Sequence, residues 1–162
     1  MARGRRYWLM KSEPDAYALA DLERAGVGSW DGVRNYQARN HLCEMKVGDL
    51  VLFYHSNATP PGVVGLARVC REAYPDHTAW NPESTYYDAK SDPAAPRWFM
   101  VDVEYVETFA RQVTLDDMRC DPELADMLVI RRGQRLSVQP VERAHFARVL
   151  RLGGAQTRVR SA

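Results

Sequence analysis

The sequence predicts an α+β domain, a small mixed β-barrel with flanking helices, and three observations carry that class. The 162 residues, 46% hydrophobic and 27% charged, suit one globular core, because single domains commonly fill about 100–200 residues. The predicted elements run strand, two helices, strand, strand, long loop, strand, short helices, strand, helix. Evenly spaced strands with helices at the sides fit a mixed barrel. A doubly wound parallel sheet would alternate helix with strand, and this order does not. Composition also argues against collagen-like, coiled-coil, low-complexity and disordered chains, and no apolar run approaches the ~20 residues that cross a bilayer.

Tyr7 to Lys11 is a short aromatic and apolar run with the composition of a strand. Pro14 breaks it, and a two-turn helix follows from about Tyr17 to Ala25, with Asp15 as the nearest N-cap and Gly26 as the stop. Gly28-Ser29-Trp30-Asp31-Gly32 reads as a turn with a large aromatic side chain in its middle. From Val33 to Met45 the period is helical. Arg34, Gln37, His41 and Glu44 share one face, and Asn35, Ala38, Leu42 and Met45 the other. Asn35 is the polar member of that apolar stripe, so it needs a partner or a ligand.

Val47-Gly48-Asp49 turns the chain into Leu50 to Ser56, a near-continuous apolar strand of the kind covered on both faces. Pro60-Pro61-Gly62 makes the next turn, and Val63 to Tyr74 reads as a long strand. Residues 75–96, rich in Pro, Asp and Ser, form an insertion that is either functional or wrapped on the barrel. Arg97 to Phe109 returns to strand, with a parity that places Trp98 on the polar face. Thr114-Leu115-Asp116-Asp117 has the form of a capping box opening a short helix. Leu136 to Val138 is a short strand, and Pro140 suits the first residue of a final helix that carries Phe146, Val149 and Leu150 and ends at Gly153-Gly154. The chain then divides into a basic stub at 1–6, a domain at 7–152 and a disordered basic tail at 153–162.

Net charge is +1, but its distribution is uneven: residues 1–11 carry +4, residues 131–162 carry +7, and the middle carries −10. If the ends meet in space they make a basic surface able to attract phosphates; the alternative is a solvated tail at each end. Cys43, Cys70 and Cys120 are widely spaced and odd in number, so neither a disulfide framework nor a zinc site is indicated. No metal and no cofactor are expected. The apolar run after Arg6 is too short for a signal-peptide core, which points to a cytoplasmic protein, or a nuclear one in a eukaryote, with no membrane partner. Phosphate loops, HExxH and GxSxG are absent. Gly62-Val63-Val64-Gly65 has GxxG spacing, yet its place at a strand start makes these strand-turn glycines.

Two clusters stand out. Tyr7 to Pro14 is a strand ending in a cation, a hydroxyl and an acid, Lys11-Ser12-Glu13. Ser29 to Asn40 joins an aromatic on a turn to amides and two Arg. These stretches, with Val47-Gly48-Asp49, Phe53-Tyr54-His55-Ser56-Asn57, Tyr74-Pro75-Asp76, Tyr86-Tyr87-Asp88, Pro96-Arg97-Trp98 and Leu136-Ser137-Val138-Gln139-Pro140, closely resemble the EVE domain family from about Tyr7 to Leu152. One departure is Ala18-Leu19, where relatives often carry a Ser able to cap the first helix.

The resemblance implies a PUA-like barrel, related to YTH and ASCH domains, and a reader of modified bases in DNA or RNA. A pocket for a flipped base needs an aromatic wall, placed hydrogen-bonding groups and a basic rim for the flanking phosphates. Trp30 matches the first cage tryptophan of YTH domains and is expected as a wall, or else as a core Trp at the barrel mouth. Trp98 is the second wall candidate against simple packing. Lys11, Ser12 and Glu13 are placed to read the base edge. Asn35 contacts the base or caps its helix, and Tyr36 is core or pocket. Tyr54, His55 and Ser56 end a strand at the same mouth. Arg34, Arg39, Arg131 and Arg132 form the candidate phosphate rim, or are ordinary solvated arginines. The expected function is non-catalytic binding of a nucleic acid carrying a modified base. The alternative is an enzyme on a nucleoside or small amide with Lys11, Glu13 and His55 as acid–base groups, and a purely structural protein is disfavoured by polar groups set beside aromatics.

Overall fold

In the computed structural model, which describes residues 4–159, six strands form one sheet in the order β2-β5-β4-β3-β1-β6. They are β1 (Tyr7–Ser12), β2 (Val27–Ser29), β3 (Leu50–His55), β4 (Gly62–Pro75), β5 (Phe99–Thr114) and β6 (Val138–Val141). The helices are α1 (Leu19–Ala25), α2 (Tyr36–Glu44), α3 (Leu115–Arg119) and α4 (Arg143–Gly153). The α+β class and the mixed sheet stand as expected: β1 runs parallel to β3, and the other neighbours are antiparallel. The sheet does not close, because β2 and β6 remain as edges, so the barrel is a loose one. Register shifts along β4 and β5 bend those long strands, as bulges do.

Strand alternation sorts the apolar residues into two cores. Trp8 and Met10 of β1, with Val51 and Phe53 of β3, face Leu19, Leu22, Ala38 and Leu42 of α1 and α2. Leu9, Leu50, Leu52 and Tyr54 face Met118 of α3 and Phe146, Val149 and Leu150 of α4. With helices on both faces, the central strands need apolar residues at every position, which is why β3 reads as a continuous run. Gly62 and Gly65 lie on β4 where a Cβ would come 2.4 Å from a carbonyl of β5, so they are strand glycines that admit close backbone approach. Asp49 is buried under β1 and accepts hydrogen bonds from Arg6 N, Trp8 Nε1 and Lys46 N at 3.0–3.1 Å.

Several local expectations are corrected. Pro140 belongs to β6, opposite Trp8; an edge strand tolerates the missing N–H, and α4 begins later, after Glu142. Val27-Gly28-Ser29 is a strand on β5 rather than the entry to a turn. α1 starts at Leu19, and the Asp21 carboxylate accepts the Ala18 N–H at 2.8 Å, so Asp15 is not its cap. The Thr114–Asp117 capping box is present. The segment expected as a disordered tail is tethered over its described part: Ala155 is buried, and Gln156 and Thr157 donate to the Glu107 carboxylate at 3.0 and 2.8 Å. Arg160 lies outside the described residues, and among the described helices none is long and apolar enough to cross a membrane.

Candidate functional site

β1 and β3 run parallel in register, Lys11 beside Tyr54 and Ser12 beside His55, and Ser56 N donates to Ser12 O at 3.0 Å. Both strand ends named from the sequence therefore leave the sheet together. After α1, β2 leads into Trp30, whose N–H donates to Val101 O at 2.8 Å. Between them opens a cavity of about 650 Å³, lined by Lys11, Ser12, Glu13, Ala16, Tyr17, Ser29, Trp30, Asp31, Gly32, Val33, Arg34, Tyr86 and Ser137. That volume lies in the range of small-ligand sites.

Trp30 answers to both of its readings. It lines the cavity, yet it is 9% exposed and packs edge-on against Phe53, with ring centroids 5.3 Å apart. Ser12 lines the cavity while its Oγ donates to Tyr17 O at 2.6 Å, and Glu13 stands exposed at the rim. Lys11 also lines it, but the ammonium is 3.4 Å from Gln134 O and sits over the Tyr54 ring; burial pushes its pKa down.

The other candidates are not brought to the cavity, and each has a physical reason. Asn35 is exposed, and its side chain accepts the Ala38 N–H at 3.0 Å, so it caps α2, which is shorter than expected. Tyr54 alternates onto the opposite face, into the α4 core. His55 Nε2 accepts the Leu19 N–H at 3.2 Å and anchors α1; burial holds its pKa down. Trp98 is not on a polar face: β5 begins one residue later, and Trp98 is buried, stacks on Tyr36 at 4.8 Å and donates Nε1–H to Asp88 at 2.7 Å. Arg39 donates to Arg97 O and lies over Tyr36.

Arg131 and Arg132 are exposed beyond a 3-10 turn, and Arg131 shares a separate groove with Arg6, Glu142 and His145. The basic ends of the chain therefore do meet, through the pairing of β1 with β6. Arg6 and Arg131 meet at the start of β1, whereas the cavity, to which Lys11 alone of these basic residues contributes, opens at its end, roughly 16 Å away at ~3.3 Å per residue.

Arg34 does line the cavity, as a clamp rather than a free rim cation. Its guanidinium donates to Asp76 Oδ2 at 3.0 Å, to Tyr86 O at 2.9 and 2.7 Å, to Thr78 Oγ1 at 3.1 Å and to Val33 O at 2.9 Å. Asp76 is fully buried and also accepts from Gly32 N at 2.8 Å and from Thr78. Burial disfavours its charge, but the hydrogen bonds from Thr78, Gly32 and Arg34 outweigh burial and hold the carboxyl below its ordinary range. This network fixes the long insertion so that Tyr86 covers Gly32. A Cβ on Gly32 would meet the Tyr86 ring at 2.6 Å, and its φ of +81° favours glycine independently.

Tyr17 and Tyr86, not Trp98, thus join Trp30 as the aromatics of the cavity. Nothing in the sequence pattern alone gives Tyr86 or Asp31 a role. Periodicity cannot place an insertion against a turn 50 residues earlier. Asp31 is exposed among the cavity residues, and burial with the neighbouring Asp76 charge raises its pKa.

Comparison with known proteins places this architecture. A model of the EVE domain matches residues 6–152. Mouse thymocyte nuclear protein 1 is 41% identical over 165 residues, covering 90% of this chain and 73% of the relative. A Pseudomonas putida crystal structure superposes with a TM-score of 0.88 at 48% identity, covering 90% of this chain and 98% of that one. Human thymocyte nuclear protein 1, in complex with DNA containing 5-methylcytosine, superposes with a TM-score of 0.86 at 38% identity, covering 94% and 99%.

Proposed function

The chain belongs to the EVE domain family, and on that premise we propose that it is a non-catalytic module that binds a methylated cytosine of DNA in the cavity at the end of β1. What supports the reading is the cavity itself, whose lining combines the aromatics Tyr17, Trp30 and Tyr86 with hydroxyl and carboxyl groups. A flipped base presents two π faces and a polar edge, and this lining complements both. The DNA complex of the human relative supports the choice of ligand. The enzyme reading with Lys11, Glu13 and His55 gains no support, because His55 is committed to the Leu19 N–H and does not line the cavity. The location follows from the ligand: wherever the cell keeps its DNA, the nucleus of a eukaryote or the cytoplasm of a bacterium.

The test is titration of DNA carrying a single 5-methylcytosine against the unmodified sequence and against RNA, read by fluorescence anisotropy. The modified DNA should bind most tightly. Tyr86→Ala, at an exposed residue, should weaken that binding by about 5- to 150-fold, since base–aromatic stacking contributes roughly 1–3 kcal/mol per base. Trp30→Ala should do the same in protein that melts cooperatively. Equal affinity for modified and unmodified DNA, or unchanged affinity in both variants, would sink the reading. Preference for modified RNA would move the ligand class from DNA to RNA.

A further inference from the structure

We infer that Asp31 reads the exocyclic amine of the bound base, so that the cavity accepts 5-methylcytosine and rejects thymine. The inference rests on the proposed function and goes one step further, to the group that sets specificity.

The chemistry of the two bases frames the problem. 5-Methylcytosine and thymine share the ring and the methyl group. They differ at position 4, an amine donor in one and a carbonyl acceptor in the other, and at N3, an acceptor in one and a donor in the other. Aromatic walls grip both equally, so stacking on Trp30 and Tyr86 cannot separate them. A carboxylate can: it accepts a hydrogen bond from the cytosine N4–H. It presents only lone pairs to a carbonyl oxygen, which makes thymine repulsive rather than merely unrewarded.

Asp31 is the carboxylate placed for this. It follows the Trp30 wall directly and lines the cavity with it. Among the described residues its side chain takes a hydrogen bond only from its own backbone N–H, and the Arg34 and His77 charges nearby favour its ionised form without holding it in place. Asp76, its neighbour, is by contrast held by Arg34, Gly32 and Thr78. A carboxylate beside another carboxylate, in a site meant for a polyanion, works against both the fold and the phosphates. Burial and the Asp76 charge do raise its pKa. Groups kept at such a cost without a structural partner are the expected form of a ligand-reading residue. Glu13 is the other acid of the lining and is exposed as Asp31 is, but only Asp31 adjoins Trp30 in the chain.

The experiment uses three DNA duplexes that differ in one base, 5-methylcytosine, cytosine or thymine, set opposite an abasic position so that no base pair has to be broken. The wild-type chain should bind the 5-methylcytosine duplex at least about tenfold more tightly than the thymine one, in line with what one good edge contact discriminates. Asp31→Asn, whose amide can accept from an amine or donate to a carbonyl, should bring that ratio below about threefold, chiefly by improving thymine binding. Its melting temperature should not fall, since a raised folded pKa means that removing the charge relieves the folded state at neutral pH. Glu83→Gln, the same loss of one charge at an exposed residue outside the cavity, should keep the wild-type ratio. An unchanged ratio in Asp31→Asn, loss of the ratio in Glu13→Gln instead, or tight wild-type binding with no preference over thymine would overturn the inference while leaving the proposed function standing. Binding to none of the three duplexes would overturn both.

Discussion

Replacing Arg34 by Ala should unfasten the insertion from the cavity and lower stability by about 2–4 kcal/mol. The figure is worked from the partners left behind. Breaking a buried ion pair from one side costs about 3–5 kcal/mol, and the Asp76 side chain is fully buried while that of Arg34 is 22% exposed. The loss is tempered because Asp76 keeps the N–H groups of Gly32 and Thr78 and because Tyr86 O is at the surface, where water can replace the guanidinium. With a urea m-value of about 2 kcal/mol/M, the middle of the range for a small domain, the midpoint should fall by roughly 1–2 M. Asp76→Asn in the Arg34→Ala background should cost less than Asp76→Asn alone, with a coupling above about 1 kcal/mol. Because the folded pKa of Asp76 is depressed, its contribution is fully present above the ordinary carboxylate range and is lost as pH falls below about 4. The difference between wild type and Asp76→Asn should therefore shrink in acid. A midpoint shift equivalent to less than about 0.5 kcal/mol, the scale of an ordinary surface substitution, would refute the clamp.

Three further predictions follow from the same geometry. Gly32→Ala should destabilise by about 1–3 kcal/mol through its positive φ and weaken base binding as Tyr86 is displaced, measured by thermal melting and anisotropy together. The stability supplied by His55 should be complete above the ordinary imidazole range and be lost as pH falls below about 6.5 and through its lowered folded pKa, because burial disfavours the charged ring and protonated Nε2 cannot accept the Leu19 N–H; His55→Gln should flatten that part of the pH profile. Asp49→Ala should cost about 2–5 kcal/mol, since it strands the buried indole N–H of Trp8 along with the Arg6 and Lys46 amides, and chemical denaturation reads it directly.

Local physics was the legible part of this chain. β3 announced itself because two covered faces demand an uninterrupted apolar run, and the Thr114 box because its partner is three residues away. Asn35 offered two readings from spacing alone, and the cap prevailed once the helix proved to start at Tyr36. Pro140 misled because a strand-breaking residue is harmless on an edge, and only the strand order reveals that β6 is one. Trp98 misled because its parity was counted from a strand that begins one residue later. Arg34 looked like a rim cation because its partners Asp76, Thr78 and Tyr86 lie 42 to 52 residues downstream, beyond the reach of any periodicity. The two strand ends of the mouth were found by composition, but which side chains face it was decided by alternation between two cores.

The position of β1 between β3 and β6 has a consequence for biosynthesis. Its parallel partner β3 emerges from the ribosome within about fifty residues, but its antiparallel partner comes only after residue 137. Until then one margin of an apolar strand stands unpaired, and such a margin invites pairing with another chain. A product interrupted in the 131–137 loop would thus expose β1, lack α4 over the second core, and lack Ser137 at the mouth. Sequence-distant pairings of this kind also close slowly. β6 and α4 therefore have a task beyond their own packing: they cover the free margin of β1 and close the second core.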